Sequence, residues 1–353
     1  MPTHPSYRAT DRLAILLHHE LLTHRGKTGL ALLRFAPDRV AAVIDSDHAG
    51  QCLKELTGIP LDWDIPIVAS AEAALKYSPQ TLAIGIAPSG GKFPDAWSDD
   101  IRAALTGGLN VLNGLHTRLN DDERFRSLLK PGQWIWDMRK EPDPIAIANG
   151  DARLLNCKRV LFVGTDMSIG KMSAAIAMDR AARLAKLRSK FMATGQTGIM
   201  IAGDGIALDA VRIDFAAGAV QQEVIASAQD RDIVFIEGQG SLLNPASTAT
   251  LPLLRGSQPT HMILVHRAQM HHLRDFRWAN IPPLRDVVKM YEMVACAGGA
   301  FAPAKVAAIA LNTHGLSEPE ARYVIERTAI ETDLPCDDVV RYGAARLLNT
   351  VLE

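Results

Sequence analysis

One segment, Lys158–Ser173, constrains the fold of this chain more than any other, and it reads KRVLFVGTDMSIGKMS. An apolar run ends at a glycine, a short polar turn follows, and the pair Gly170-Lys171 precedes an alanine-rich stretch with helical character. This is the order of a phosphate-binding loop, in which backbone N–H groups at a helix N-terminus and a lysine hold an anion. The segment therefore predicts a strand, a glycine turn and a helix that together bind phosphate.

Two positions depart from the usual pattern, which has a glycine five residues before Gly170 and a serine or threonine after the lysine. Thr165 occupies the first position, and the glycine comes one residue earlier, at Gly164. Met172 occupies the second, where a hydroxyl normally reaches magnesium; Ser173 is rotated from that position by about 100° around the helix. The loop therefore favours phosphate binding over magnesium-dependent chemistry, and coenzyme A, which needs no metal, fits it at least as well as ATP.

Short apolar runs alternate with alanine-rich helical stretches along the whole chain. Continuous apolar runs of this kind are typical of parallel strands in a sheet that is covered on both faces. The pattern predicts two α/β units in tandem. We expect strands at Leu13–Leu17, Val40–Ile44, Ile65–Val68, Leu82–Ala87, Val111–Asn113, Val160–Val163, Lys190–Ala193, Ile233–Ile236, Met262–Val265 and Val306–Leu311.

The segment Arg139–Asn156 contains two prolines and no clear strand pattern, so it marks the expected domain boundary. We place the N-terminal domain at residues 1–145 and the C-terminal domain at residues 146–353. A chain of 353 residues agrees with about two domains, and a hydrophobic content of 48% is enough for normal cores.

The composition argues against several classes of partner. The net charge of −1 and the lack of a basic run argue against nucleic acid. The start of the chain lacks the apolar core of a signal peptide, and no apolar stretch approaches the thickness of a bilayer. We therefore expect a soluble, cytoplasmic protein without a membrane partner. The four cysteines are too far apart in the sequence to form a zinc-binding or redox-active pair; they are Cys52, Cys157, Cys296 and Cys336.

Three strand ends in the second half carry glycines beside hydrogen-bonding groups, and ligands bind at such ends in parallel sheets. They are the loop at Gly164–Lys171, the turn Thr194–Gly198 and the turn Glu237–Ser241. Glu237 stands where a carboxylate typically meets nucleotide-bound magnesium. A single turn of this type is explained by chain reversal alone, but three favour a phosphate-bearing ligand. The candidate cofactor-binding residues are Gly164, Thr165, Asp166, Ser168, Gly170, Lys171, Met172, Ser173, Gln196 and Gly238.

Four histidines between positions 261 and 272 suggest a metal cluster at first sight. His261 and His266, however, flank one predicted strand and so lie at its opposite ends. We therefore predict no metal site. His266 follows the strand, and we expect it to face the ligand.

Strand ends in the first half also carry polar turns. Asp45 follows the second strand, where an acidic residue holds a ribose in dinucleotide-binding folds, but the glycine fingerprint of those folds is missing after the first strand. Gly90 and Gly91 would let a ligand approach the backbone, and Lys92 offers a cation for a carboxylate or phosphate. The candidate substrate-binding residues are Asp45, Gly90, Gly91, Lys92, His116, Arg118 and Arg139.

The phosphate loop and the EGQGS turn resemble the GTD-x-x-x-GK-T loop and the EGAGG turn of dethiobiotin synthetases, but only locally. Over nearly its whole length the chain is similar to a domain-of-unknown-function family, number 1611. The motifs that carry this resemblance are GKTGLALLR, AVIDSDHAG, IGIAPSGGKFP, NGLHTRLNDD, DMRKEP, GTDMSIGKMS, ATGQTGIMIAGDG and IEGQGSLLNPA.

This resemblance implies an α/β fold of two tandem doubly wound parallel-sheet domains, the N-terminal one Rossmann-like and the C-terminal one P-loop NTPase-like. The family includes D-glutamate N-acetyltransferases, so it implies acetyl-CoA as cosubstrate and the amine of D-glutamate or a similar acidic amino acid as acceptor. Its loop resembles GTD-x-x-x-GKM, so Met172 is no departure from this family. We expect a homo-oligomer, a dimer or tetramer, as is common for enzymes of this type.

Acetyl transfer needs a base for the amine proton and donors for the oxyanion. The candidate bases are Asp166, Glu237 and His266, and the sequence does not rank them. Two other functions stay open at this stage. One is an ATP- and magnesium-dependent ligase or kinase that acts on a carboxylate, and the other is a non-catalytic protein that binds CoA or a nucleotide.

Overall fold

The computed structural model describes residues 7–353, apart from the side chain of Ser89, and they form two compact units. The N-terminal unit contains the chain as far as Lys140 together with Ile199–Asp204. The C-terminal unit contains Glu141–Gly198 and Gly205–Glu353. Each unit is built around a parallel sheet of its own.

The N-terminal unit contains the strands β1 (Leu13–Leu16), β2 (Val40–Ile44), β3 (Ile67–Val68), β4 (Thr81–Ile84), β5 (Asn110–Asn113) and β6 (Ile135–Asp137). Its helices are α1 (Lys27–Phe35), α2 (Leu53–Thr57), α3 (Ala71–Ala74), α4 (Ser98–Thr106) and α5 (Glu123–Arg126). The strands are parallel and lie in the order β3-β2-β1-β4-β5-β6. This order is that of a doubly wound nucleotide-binding fold, in which the winding reverses between β1 and β4.

The C-terminal unit contains the strands β7 (Lys158–Gly164), β8 (Ser189–Met192), β9 (Ile233–Ile236), β10 (His261–Arg267), β11 (Lys305–Asn312) and β12 (Cys336–Asp337). The helices that follow are α6 (Lys171–Leu184), α7 (Gln196–Ala202), α8 (Ile213–Ser227), α9 (Thr250–Ser257), α10 (Leu284–Ala295), α11 (Glu318–Thr332) and α12 (Ala345–Leu352). From Ile199 onward, α7 belongs to the N-terminal unit. These strands are also parallel, in the order β12-β11-β10-β7-β9-β8. The winding reverses at β7, between β9 and β10.

The apolar runs form buried strands, as the sequence predicts. Every residue of β1, β2, β4 and β9 is buried, which is the pattern of a sheet covered on both faces. The α/β fold with two parallel sheets is therefore confirmed. The predicted strands lack β6 and β12, which are three and two residues long and lie at the sheet edges. An edge strand this short has too few apolar residues to produce a recognisable run.

The proline-containing segment after Lys140 packs against the C-terminal unit. Gln221 of α8 accepts hydrogen bonds from the backbone N–H groups of Gly150 and Asp151, at 2.7 and 3.1 Å. Gly218, one turn earlier in the same helix, lies so close to Ala146 that a Cβ atom would overlap the Ala146 carbonyl oxygen. The close approach of α8 to this segment therefore requires a glycine at position 218.

In residues 7–353 no helix combines the length and the apolar character that crossing a bilayer requires.

We expect Gly218→Ala to destabilise the protein. Alanine improves helix propensity by about 1 kcal/mol, but the overlap is with backbone, which cannot rotate away, so we expect a net loss of about 2 kcal/mol. Urea unfolding measures this change. Gln222→Ala, at an exposed position of the same helix, is the control and should change the free energy of unfolding by less than about 0.5 kcal/mol. Equal stability of the two variants would show that the segment around Ala146 moves away from the added methyl group without loss of stability.

Candidate functional site

The phosphate loop, Gly164–Lys171, connects the end of β7 to the first residue of α6. It therefore leaves the sheet at the point where the winding reverses, which is where α/β sheets bind ligands. Ser168 and Gly170 have left-handed backbones, with φ of 54° and 113°. Left-handed residues within a turn allow neighbouring N–H groups to converge on one anion. The loop has the backbone expected of a phosphate site.

The early glycine of the loop has a steric reason. A Cβ atom at Gly164 would lie 2.9 Å from Cδ1 of Ile169, and 3.2 Å from Cδ and 3.3 Å from Nζ of Lys171. Glycine at the strand end thus leaves room for the lysine to fold back over the loop. Thr165, at the position where the usual pattern has a glycine, is completely buried, and its hydroxyl lies within hydrogen-bond distance of His266.

Lys171 is the central cation of the loop. Its side chain is buried, and Nζ donates a hydrogen bond to the backbone carbonyl of Asp166 at 2.6 Å. Burial lowers its pKa to about 8, although the carboxylates of Asp166 and Glu237 partly oppose this shift. The ammonium group is therefore still mostly charged at pH 7, and a bound phosphate would restore the charge balance lost by burial.

Asp166 connects the phosphate loop to two other loops. Its buried carboxylate accepts hydrogen bonds from the N–H of Met167 at 2.7 Å, from Nδ2 of Asn244 at 2.7 Å and from the N–H of Arg274 at 2.8 Å. Asn244 lies in the loop after β9, and Arg274 lies in the loop after β10. With three hydrogen-bond donors from three loops, this carboxylate fixes the positions of the loops relative to one another.

Glu237 follows β9 and faces the phosphate loop from the next strand. Its Oε2 accepts a hydrogen bond from the Thr194 N–H at 2.8 Å, and the Thr194 hydroxyl donates to the Glu237 carbonyl at 2.9 Å. Burial raises the pKa of Glu237 to about 7, a shift that the N–H groups of Thr194 and Gly195 and the charge of Lys171 partly oppose. This carboxyl group can therefore gain or lose a proton near neutral pH.

Two glycines allow this close packing. A Cβ atom at Gly198 would lie 2.5 Å from Oε2 of Glu237, and one at Gly238 would overlap the carbonyl oxygen of Phe162. Gln196 begins α7 beside them. The structure thus joins all three glycine-containing strand ends that the sequence singles out in the second half.

His266 lies near the end of β10 and is buried. Its Nδ1 is 2.9 Å from the hydroxyl of Thr165. Burial lowers its pKa to about 4, so the ring is neutral at physiological pH. His261 begins the same strand, at its other end. Among residues 7–353, no three His, Cys, Asp or Glu side chains are arranged to hold a metal ion.

Met172 and Ser173 lie in the first turn of α6 and are partly buried. Neither changes the conclusion from the sequence that the helix presents no hydroxyl directly after the lysine.

Sequence reasoning missed the residues that brace the loop. The hydroxyl of Tyr291, fully buried on α10, donates to the Gly164 carbonyl at 2.7 Å and accepts from the Leu242 N–H at 3.1 Å. Asn312, at the end of β11, donates to the Ile169 carbonyl at 3.0 Å. The strand-end rule, applied to β11, would have found Asn312. No local signal marks Tyr291.

In the N-terminal unit, Asp45 is fully buried at the end of β2, and its carboxylate already has hydrogen-bond partners within the protein. Its carboxylate accepts from the N–H of His19 at 3.0 Å and of Asp47 at 3.3 Å, and His48 Nδ1 is 2.6 Å away. It lies two strands from β4, which precedes the glycine turn.

The structure groups several other predicted substrate residues. Gly90 and Gly91 have φ of 77° and 59°, and the Gly91 carbonyl accepts from the His116 N–H at 2.8 Å. A Cβ atom at Gly91 would overlap the His116 ring and lie 3.0 Å from Nη1 of Arg139. Exposed Lys92 follows directly. Arg118 is exposed and pairs with Asp121 at 3.6 Å, in agreement with a surface role.

We expect Tyr291→Phe to loosen the phosphate loop. It leaves a buried carbonyl and a partly buried N–H without their partner, at a cost of about 1–3 kcal/mol in unfolding free energy, and should weaken the binding of inorganic pyrophosphate. Urea unfolding and calorimetric titration measure the two effects. Tyr323→Phe, at a side chain that is 62% exposed, is the control and should change neither. Unaltered pyrophosphate affinity in Tyr291→Phe would contradict the bracing role.

Two curated relatives match most of this chain. A protein described as D-glutamate N-acetyltransferase from Tritonibacter scottomollicae is 36% identical over 335 residues, which cover 91% of this chain and 97% of that protein. A second, with the same description, from a Pseudoalteromonas species is 32% identical over 300 residues, covering 84% of this chain and 89% of that protein.

A solved structure and two family models agree with these matches. The crystal structure of a DUF1611 family protein from Anabaena variabilis is 55% identical, covers 97% of this chain and 99% of its own, and superimposes with a TM-score of 0.92. Residues 46–141 match a domain of unknown function described as Rossmann-like (DUF1611_N), and residues 146–348 match one described as a P-loop domain (DUF1611_C). These findings confirm the resemblance seen in the sequence: the chain belongs to the DUF1611 family.

Proposed function

We propose that this protein is an N-acetyltransferase that moves an acetyl group from acetyl-CoA to the amine of D-glutamate or a similar acidic amino acid. The names of the two curated relatives support this reaction. The observation that carries it is the buried, electrostatically coupled pair of Lys171 and Glu237 at a phosphate loop whose helix offers Met172 instead of a hydroxyl. Such a site is suited to an anion and to proton transfer.

In this proposal the phosphate loop binds the phosphates of acetyl-CoA. Lys171 supplies a charged donor, and the backbone around Ser168 and Gly170 supplies N–H groups at the start of α6. Gly164, Thr165, Asp166, Met172, Ser173, Gln196 and Gly238 complete the proposed cofactor-binding set.

The reaction forms one bond and breaks another. The neutral amine nitrogen attacks the thioester carbonyl carbon, the nitrogen loses a proton to a base, and the C–S bond breaks to release the CoA thiolate, which takes up a proton. The transition state needs a base with a pKa near the working pH and a donor for the developing oxyanion.

Of the three candidate bases, Glu237 suits the role of proton acceptor. Its pKa of about 7 means that a large fraction is deprotonated at neutral pH while it still binds a proton well. The Asp166 carboxylate already accepts three hydrogen bonds, and we assign it to positioning. His266, neutral with a pKa of about 4, is a weak base, and we assign it to donating a hydrogen bond to the oxyanion.

The remaining parts of the proposal concern the acceptor and the setting. The turn at Gly91 and Lys92, which lies beside His116 and Arg139 in the N-terminal unit, stays a prediction for binding a carboxylate of the acceptor. Asp45, Gly90 and Arg118 stay predictions for the same role. We also propose that the protein acts in the cytoplasm, where acetyl-CoA is made and used, as a homo-oligomer.

We expect Lys171→Ala to weaken acetyl-CoA binding by about tenfold or more, because a charged donor to phosphate is lost. Calorimetric titration of the intact protein measures the affinity. Lys305→Ala is the control, since this exposed lysine begins β11 at the opposite end of the sheet. Acetyl-CoA affinity unchanged by Lys171→Ala would place the donor elsewhere.

A thermal-shift comparison separates the proposal from the alternatives. Acetyl-CoA and CoA should raise the melting temperature, whereas ATP with magnesium should have little effect. The opposite result would favour a ligase or kinase. Binding of CoA without acetyl transfer to any acidic amino acid would indicate a non-catalytic protein.

The pH dependence tests the role of Glu237. Its deprotonated form is the base, so kcat/KM should rise through about pH 7, and it should fall above about pH 8, where Lys171 loses its charge. Glu237→Gln keeps an acceptor for the Thr194 N–H but removes the base, so kcat should fall on the order of 100-fold and the rise near pH 7 should vanish. A variant that keeps this rise would assign it to another group.

A further inference from the structure

The segment His271–Ile281, which we call the basic hairpin, follows β10 and folds back on itself. The Ile281 N–H donates to the His271 carbonyl at 2.9 Å, and the Leu273 N–H donates to the Ala279 carbonyl at 3.0 Å. Leu273 is buried, and His272 pairs with Asn280 in an antiparallel bridge. The hairpin is therefore a defined element, able to hold side chains in fixed positions.

The basic hairpin lies directly beside the phosphate loop. The Arg274 N–H donates to the Asp166 carboxylate at 2.8 Å, so residue 274 is fixed against the loop. His271 is close enough to His266 for its charge to disfavour protonation of that ring. The hairpin thus donates a hydrogen bond to Asp166 and acts electrostatically on His266, two of the four side chains to which the proposed reaction assigns a role.

Two arginines of the hairpin are available to an anion. The guanidinium of Arg274 is 55% exposed and pairs at 2.9 Å with its chain neighbour Asp275, which is itself 54% exposed. An exposed ion pair of this kind contributes little stability, so a substrate carboxylate can replace it at low cost. Arg277, three positions further along the hairpin, is also exposed.

We propose that Arg274 and Arg277 bind the carboxylate groups of the acidic acceptor and thereby select it. This inference rests on the proposed function. The reaction has two anionic partners, and the phosphate loop with Lys171 accounts for one of them, the donor. Guanidinium groups bind carboxylates through two parallel hydrogen bonds, which fix orientation as well as charge. A dicarboxylate amino acid held by two arginines would present its amine beside the loop.

The turn at Gly91 and Lys92 is the competing site for the same carboxylates. Both sites suit an acidic amino acid by charge alone. The hairpin is favoured because it is bonded to the same carboxylate, Asp166, that shapes the donor site. The two assignments make different predictions for kinetics.

The test is steady-state kinetics of D-glutamate acetylation by Arg274→Gln, Arg277→Gln and a control, Arg285→Gln. Both hairpin substitutions keep the backbone N–H of residue 274, which donates a hydrogen bond to the Asp166 carboxylate. We expect the KM for D-glutamate to rise about tenfold or more in both hairpin variants, with the KM for acetyl-CoA within about twofold of the wild type. Arg285 is exposed at the start of α10, outside the hairpin, and its variant should behave as the wild type.

A second substrate makes the test specific for charge. D-Glutamine has the same shape as D-glutamate but lacks the side-chain carboxylate. If one arginine binds that carboxylate, its substitution should lower kcat/KM much more for D-glutamate than for D-glutamine. The loss from this substitution and the loss from removing the substrate carboxylate should not add, because both remove the same interaction. Equal impairment with both acceptors, for both arginines, would contradict recognition of the side-chain carboxylate.

Three other results would overturn the proposal. A raised KM for acetyl-CoA with an unchanged KM for D-glutamate would assign the hairpin to the donor phosphates. A raised D-glutamate KM in Lys92→Gln alone would place the carboxylates in the N-terminal unit. If the wild type transfers no acetyl group, the proposed function fails. The role of the hairpin is then tested separately by calorimetric titration with glutarate, a dicarboxylate. Binding that is lost in Arg277→Gln but kept in Arg285→Gln would support carboxylate binding by the hairpin. Glutarate that binds all variants equally, or none, would reject it.

Discussion

The carboxylate of Asp166 is the interaction on which the arrangement of the site depends. A buried carboxylate is stable only with enough donors, and here the donors come from the phosphate loop itself, from Asn244 after β9 and from Arg274 after β10. Each loop therefore constrains the other two. A shift of the basic hairpin would remove a donor from the phosphate loop, so the proposed donor and acceptor sites are mechanically coupled through one side chain.

Burial also sets the chemistry of the neighbouring charges. The same exclusion of water lowers the pKa of Lys171 to about 8 and raises that of Glu237 to about 7. The two values move toward each other because desolvation disfavours the charged form of both groups. A cation that binds phosphate and a carboxyl that exchanges protons near neutral pH thus arise from one physical cause. The neutral state of His266 has the same origin.

Local patterns were sufficient to predict ten of the twelve strands in the described part of the chain, the phosphate loop and the glycine turns, because each depends on residues close together in the chain. The displaced glycine at Gly164 is explained only when Ile169 and Lys171 are seen to pack against it. Tyr291 and Arg274 could not be predicted, since their partners in the phosphate loop, Gly164 and Asp166, lie more than 100 positions away and no spacing links them. Strand β12 was missed because two residues carry no pattern.

The packing of the 141–151 segment against α8 changes how the boundary between the two units is understood. Its prolines and polar residues are typical of a flexible linker, yet Gln221 and Gly218 hold it against the helix. Glu141 adds an ion pair with Arg212 at 2.7 Å. Proteases and insertions act where the backbone is loose, whereas this stretch is held at Glu141, at Ala146 and at Gly150–Asp151. A cut or an added loop here would therefore damage the C-terminal core instead of merely separating two domains.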